Sequence, residues 1–192
     1  MLKYSSEVIA MRYVFENEIR SEDIKRVRRK LDMSQSEFAE LLNVTVSTVS
    51  AWEIKTKPIK GAVVPLIKMF MMYPESVNHL QVPVQRYPLR LWYMCDSDVC
   101  SIVDVDERNQ SVAVHNYVKD TMYRAFGAVN QPTYEQYLDF IQSRCVPESR
   151  DGIKMILKSL DVPFYDPILI IEKTQGRMHE DSFWIKVEKK YD

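Results

Sequence analysis

The chain has 192 residues, of which 46% are hydrophobic and 28% are charged, and its formal net charge is -1. This length suits one large domain or two small ones. The nearly neutral net charge excludes a polycation that binds phosphate groups along its whole length. Charge is uneven, because residues 21–72 carry nine Lys and Arg against six Asp and Glu, whereas residues 73–192 carry fourteen against eighteen. The asymmetry predicts a weakly basic module followed by an acidic one.

No apolar run reaches the roughly 20 residues that span a bilayer. The longest, "AVVPLIKMFMMY" at 62–73, contains a proline and a lysine, which favours a core helix. The cysteines are Cys95, Cys100 and Cys145. Their odd number, loose spacing and the lack of a visible secretory signal are typical of reduced thiols in the cytoplasm.

Helix signals begin after residues 1–20, whose mixture of apolar and charged positions leaves helix and strand open. Ser21 predicts the cap of a first helix, since acidic residues follow it in the first turn. Ser34 followed by Glu37 is a capping box, which predicts a second helix. After a short turn, Thr45 predicts the cap of a third.

A fourth helix is predicted after Gly61, and "YPESVNHL" at 73–80 is a candidate for a short fifth. Residues 81–90 contain two prolines and no helical period, so we place a linker there. The predicted domains are therefore residues 1–80 and residues 91–192.

Three short β-prone runs follow the linker, and the last two flank a turn as in a hairpin. They are "LRLWYM" (89–94), "CSIVDVD" (100–106) and "SVAVHNY" (111–117). Helical signals then return with the capping box of Thr133 and Gln136, in "RDGIKMILKSL", and in "DPILIIEKT", where Pro stands at a helix start. The predicted fold is mainly α, with an N-terminal five-helix domain and a C-terminal α+β domain containing a small antiparallel sheet.

The segment "IKRVRRKLDMSQSEFAELLNVTVSTVSAWE" carries a family resemblance. Ser34-Gln35 at a helix start, Phe38-Ala39 inside, Ser47-Thr48-Val49 and the closing Trp52-Glu53 resemble the helix-turn-helix domain of the Xre-type (Cro and phage-repressor) family. The resemblance covers residues 20–73 and is greatest to the antitoxin-type regulators of bacterial toxin–antitoxin operons. It implies a domain that binds double-stranded DNA.

The resemblance also implies roles for individual residues. Arg28 and Glu53 stand at the positions of a structural ion pair. Gln35 is placed at a phosphate and base-edge contact, the third helix reads bases, and lysines after it contact phosphates. The residues assigned to DNA contact are Gln35, Ser36, Thr45, Val46, Ser47, Ser50, Lys55, Lys57 and Lys60.

One position departs from the family. A glycine that permits a left-handed helix end is common two residues after the Trp-Glu pair, and this chain has Lys55 there. Either Lys55 adopts a positive φ at a cost of roughly 1 kcal/mol, or the loop is built differently.

Other candidate chemistry is weaker. Cys95 and Cys100 with His115 miss the spacing of structural zinc sites, so we predict no metal and no cofactor. Asp104 and Asp106 would share a face of a strand, which favours a solvated strand edge over catalysis. The aromatic residues of the C-terminal segment fit either an interaction surface or an anchor onto the chain's own core, and we favour the anchor.

The resulting hypothesis is a cytoplasmic transcriptional regulator, associated with the nucleoid when bound to DNA. It is not an enzyme, and it represses by binding a pseudo-palindromic operator as a homodimer. One alternative is an antitoxin whose C-terminal domain sequesters a cognate toxin while the protein regulates its own operon. A further alternative is a ligand sensor or enzyme tethered to DNA.

Overall fold

The computed structural model describes residues 16–190. Of these residues, those up to Gln81 form one compact unit, and those from Val82 onward form a second. The open choice between helix and strand for residues 1–20 falls almost entirely outside the described residues. Within the described part of the chain, no helix is long and apolar enough to cross a membrane.

The first unit contains helices and a short antiparallel ribbon. Its elements are β1 (Glu18–Ile19), α1 (Ser21–Lys30), α2 (Gln35–Leu41), α3 (Val46–Ile54), β2 (Ile59–Lys60), α4 (Val63–Met72) and a 3₁₀ helix (Pro74–His79). The predicted count of five α-helices is not confirmed, because the fifth is the 3₁₀ helix. Its turns close with i→i+3 hydrogen bonds, the tighter winding that is typical of short helical segments.

Helix caps place the starts of α2 and α3 where the sequence predicts them. The Ser34 hydroxyl accepts from Glu37 N at 3.2 Å, and Ser34 N donates to the Glu37 carboxylate at 2.7 Å. Thr45 Oγ1 accepts from Thr48 N at 3.2 Å. The predicted cap of α1 is wrong by one residue, because the cap is Arg20, whose N–H donates to Asp23 at 2.9 Å.

The core of the first unit forms where α1, α2, α3 and α4 meet. Its buried side chains include Ile24, Val27, Phe38, Ala39, Val49, Ile67 and Phe70. Ala39 is 2% exposed, and the carbonyl of the same residue accepts from Val44 N at 2.9 Å. A small side chain at this point lets α2 and α3 approach closely.

The second unit is a four-stranded antiparallel sheet with three α-helices and a short 3₁₀ helix. Its elements are β3 (Leu89–Cys95), β4 (Asp98–Asp106), β5 (Ser111–Asn116), a 3₁₀ helix (Thr121–Tyr123), α5 (Tyr134–Ser143), α6 (Ile153–Ser159), α7 (Pro167–Thr174) and β6 (Phe183–Lys189). The strand order is β5-β4-β3-β6. The three predicted strands and the helices at Thr133 and Pro167 are confirmed, whereas the strand β6 is not among the predicted elements.

One face of this sheet packs on the helices and forms the second core. Tyr93 stacks on Phe183 with ring centroids 4.9 Å apart and meets Phe140 edge to face at 5.2 Å. Trp184 Nε1 donates to the carbonyl of Asp96 at 2.7 Å. The C-terminal aromatic residues thus contact the unit's own sheet, which agrees with the anchor that we favoured.

The prediction of a solvated strand edge is wrong for Asp104, which is 4% exposed. Its carboxylate forms a bidentate ion pair with Arg90 at 2.6 and 2.9 Å and accepts from Arg86 N at 2.8 Å. Asp106 instead caps the following turn, accepting from Asn109 N at 3.0 Å. The segment before β3, which lies inside the predicted linker, therefore contacts the sheet.

Candidate nucleic-acid interface

The turn between α2 and α3 sets the relative orientation of these two helices. Asn43 has φ +52°, a left-handed conformation that Asn tolerates better than most residues. The chain then turns so that Val44 N donates to the Ala39 carbonyl. The turn brings the N-terminus of α3 out to the surface, where Thr45, Val46 and Ser47 are all exposed.

A half-buried ion pair holds α1 against α3. Arg28 Nε donates to Glu53 Oε1 at 2.6 Å, and Arg28 Nη2 lies 3.3 Å from Glu53 Oε2. Arg28 Nη1 also donates to the Met33 carbonyl at 2.9 Å. The hydrogen bond with Arg28 holds the pKa of Glu53 below its usual value, and Glu53 in turn raises the pKa of Arg28. Arg28 and Glu53 thus lie together, as the resemblance implied.

Gln35 also contacts this pair. Its Nε2 donates to Glu53 Oε2 at 2.8 Å, and its side chain is half-buried at the start of α2. This bond joins residues 18 positions apart and is not predicted by the sequence. No local pattern could have found it, because it depends on how closely α2 and α3 cross.

The outward face of α3 carries small side chains over its first two turns. Val46 is 45% exposed, Ser47 is exposed and Ser50 is half-buried. Ala51, one turn after Ser47, is exposed. Ala51 is not among the residues predicted to contact DNA, although its spacing of four residues from Ser47 places it on the same face.

The hydroxyl of Thr45 is fully used by its own helix. Besides accepting from Thr48 N, it lies 2.8 Å from Ser47 Oγ and 2.8 Å from Thr48 Oγ1. A hydroxyl has one donor and two acceptor lone pairs, so these three contacts fill its capacity. Ser36, on the first turn of α2, is exposed.

The loop after α3 is built without a left-handed helix end. Lys55 has φ -68° and ψ 128°, an extended conformation, so it carries no strain where the family commonly has glycine. The glycine of the loop comes later, at Gly61 with φ +106°. Lys57 is exposed, and Lys60 lies on β2 with its ammonium group 3.4 Å from the Glu18 carboxylate.

Comparison with known proteins agrees with this geometry. The family model described as "Helix-turn-helix" matches residues 24–64. These residues form an Xre-type helix-turn-helix domain. The match begins in α1 and ends at the start of α4, so it contains the Arg28–Glu53 pair, Gln35 and the whole of α3.

A similar protein is Antitoxin HigA-2 of Vibrio cholerae serotype O1, which is 31% identical to this chain over 67 residues. The matched part is 35% of this chain and 64% of the relative's length. The chain thus spans less than two thirds of this relative, and most of the present chain lies outside the match.

Outside the helix-turn-helix domain, the described residues contain no group of three or more His, Cys, Asp or Glu arranged to hold a metal ion. Burial raises the pKa of Cys100, and it raises the pKa of Cys145 to about 12. Both thiols are therefore protonated at neutral pH, which makes them poor nucleophiles.

Proposed function

We propose that this protein is a transcriptional regulator that binds double-stranded DNA through its helix-turn-helix domain and represses from a pseudo-palindromic operator. The observation that carries the proposal is the exposed N-terminus of α3. The Thr45 cap fixes the start of this helix, and the Arg28–Glu53 ion pair holds the helix against α1. A helix held in this way is suited to enter the major groove with its first residues foremost.

The base contacts follow from the residues that α3 exposes. Val46 and Ala51 are apolar and suit the methyl group of thymine, whereas the Ser47 hydroxyl can donate or accept at several bases. Because hydroxyls are ambiguous readers, we expect moderate selectivity under α3. Half-site spacing and DNA shape then supply a large part of the specificity.

Phosphate contacts come from the surroundings of α3. We expect the backbone N–H groups at the start of α2, where Gln35 and Ser36 lie, to contribute a phosphate contact. Lys55 and Lys57 are exposed and form no ion pair among the described residues, so they are better placed than Lys60, which faces Glu18.

The modest charge of this module favours binding as a dimer. A balance of +3 over residues 21–72 allows few phosphate contacts per copy, so two linked copies are needed for useful affinity. We propose that the second unit, residues 82–192, supplies the dimer contact, with two α3 helices reading half-sites about one helical turn apart.

Selection from a random pool of duplexes with the full-length protein tests this function. We expect an enriched sequence with two-fold symmetry, bound by a dimer in sedimentation. A chain ending at Gln81 should bind the same duplex far more weakly. Recovery of no preferred sequence contradicts the proposed function, and tight binding by the truncated monomer contradicts the dimer.

An antitoxin is the second candidate, and the similarity to Antitoxin HigA-2 favours it. In this case the protein binds a toxin encoded beside its own gene and regulates the shared operon. The acidic second unit is then the toxin-binding part.

Co-expression with the neighbouring gene product tests the antitoxin proposal. Stable co-purification, together with relief of growth arrest when both are expressed, is the expected result. The chain ending at Gln81 is the matched control, and it should fail to retain the partner. If the neighbouring product is harmless alone and does not co-purify, the chain is a solitary regulator.

A further inference from the structure

The hydrogen bond between Gln35 and Glu53 bears on how the domain reads DNA. A carboxylate only accepts hydrogen bonds, so the amide of Gln35 must turn its Nε2 group toward Glu53. One Nε2–H is used in this bond. The second Nε2–H and the Oε1 atom have no hydrogen-bond partner among the described residues.

Glu53 is itself held firmly. It is 5% exposed, Arg28 donates to both of its oxygens, and Arg28 is fixed in turn by the Met33 carbonyl. The amide of Gln35 is therefore attached to a rigid acceptor before any ligand arrives. Such preorganisation lowers the entropy cost of binding.

We propose that Glu53 is a positioning residue for base recognition, orienting the Gln35 amide to pair with the major-groove edge of an adenine. This inference rests on the proposed function. The edge of adenine offers the N7 acceptor beside the N6 donor, and a side-chain amide with one donor and one acceptor free matches both. A phosphate would use only the donor and would leave Oε1 facing negative charge.

The substitution Glu53→Gln separates positioning from charge. Gln has one acceptor oxygen in place of two, so it cannot accept from Arg28 and Gln35 on separate oxygens as Glu53 does. Its own N–H groups are donors, so they favour a Gln35 amide that is rotated to present its oxygen. Loss of a negative charge alone strengthens DNA binding. Weakened binding by Glu53→Gln therefore has the opposite sign to the charge effect.

The experiment uses four full-length proteins: wild type, Gln35→Ala, Glu53→Gln and the double variant. The probe is the duplex that wild type selects from a random pool. We expect each single variant to bind about tenfold more weakly, which is within the range for the loss of one bidentate base contact, and the double variant to be within about twofold of Gln35→Ala. The exposed Glu40→Gln is the matched control for charge, and it should bind no more weakly than wild type.

Repeated selection with each variant identifies the base. Wild type should prefer adenine at one position in each half-site, and both single variants should lose that preference alone. Uniform weakening over all sequences by Gln35→Ala contradicts the inference and makes Gln35 a phosphate contact. Equal weakening by Glu53→Gln with and without Gln35 also contradicts it, because Glu53 then acts only on the fold.

A readout without DNA distinguishes this inference from the proposed function. In the free wild-type protein, nuclear magnetic resonance should show the side-chain amide protons of Gln35 exchanging with water about tenfold more slowly than in Glu53→Gln. Equal exchange rates in the two proteins overturn the positioning role. If the exchange is slowed as expected but no duplex is selected, the proposed function fails and the inference about base recognition fails with it.

Discussion

Replacement of Asp104 by alanine should destabilise the second unit more than any other single charge removal in its sheet. The side chains of Arg90 and Asp104 are only 4% and 6% exposed, and two hydrogen bonds of 2.6 and 2.9 Å join them. Hydrogen bonding to Asp104 raises the pKa of Arg90. The guanidinium stays charged after its partner is removed, because arginine is not deprotonated in proteins. The variant therefore buries an unpaired charge.

The expected cost is about 3–5 kcal/mol in the free energy of unfolding, the range for breaking one side of a buried ion pair. This is a large part of the roughly 5–15 kcal/mol that stabilises a domain. Replacing both partners, as in Arg90→Met with Asp104→Leu, should cost less than Asp104→Ala alone, because no unpaired charge is left.

Urea unfolding followed by tryptophan fluorescence measures this cost. In a Trp52→Phe background, only Trp92 and Trp184 remain, and both lie in the second unit. The matched control is Asp106→Ala, since Asp106 only caps a turn on the same strand and should cost about 1 kcal/mol. A loss below about 1 kcal/mol for Asp104→Ala would refute the reasoning, because the Arg90 charge would then have reached water.

Three further outcomes concern single residues. Thr45→Ala should lower the stability of the first unit by about 1 kcal/mol in thermal unfolding, because α3 loses its cap, whereas Thr45→Ser should not. Gly176→Ala should destabilise the second unit by more than about 1 kcal/mol, because φ is +56° and the new Cβ would lie 3.3 Å from the Arg144 Cβ. Arg28 lowers the pKa of Glu53 in the folded state. The stabilisation from this ion pair is therefore complete above the pKa of about 4.3 that Glu has in the unfolded chain, and it is lost as pH falls through the lower pKa of the folded state. The stability difference between wild type and Glu53→Gln in calorimetry should therefore be constant above about pH 5 and shrink below about pH 4.

The parts of the fold that follow from the sequence are those fixed by local chemistry. Ser34 and Thr45 cap helices because a hydroxyl satisfies the first free N–H groups, whatever lies elsewhere in the chain. The hairpin of β4 and β5 follows from two β-prone runs around a short turn. In both cases the determining contacts lie within a few residues of one another.

The parts that could not be predicted depend on distant partners. β6 pairs with β3 across nearly a hundred residues, and although residues 185–188 alternate between apolar and charged side chains as in a strand, nothing local shows which strand they pair with. The burial of Asp104 could not be predicted, because nothing in the sequence shows that Arg90 lies beside it in the neighbouring strand. Cross-strand neighbours of this kind are set by register, which local patterns leave open.

The candidate site divides in the same way. Its frame follows from the sequence, because the caps, the small Ala39 and the Arg28–Glu53 pair occur at positions that resemble a known family. The extended Lys55 and the bond from Gln35 to Glu53 do not follow from it. Each of these depends on the angle between helices or on the path of a loop.

The absence of long polar side chains at the exposed positions of α3 gives Gln35 a greater share of the recognition. Val46, Ser47 and Ala51 are too short to reach far across a base pair, so α3 must lie deep in the groove to make any contact. A deep position brings the start of α2 close to the duplex as well. A long, freely rotating side chain at the start of α2 would lose conformational entropy on binding DNA. The carboxylate of Glu53 removes much of that loss, because it fixes the Gln35 amide before binding. The small residues of α3 and the restrained Gln35 are thus complementary parts of one mode of recognition.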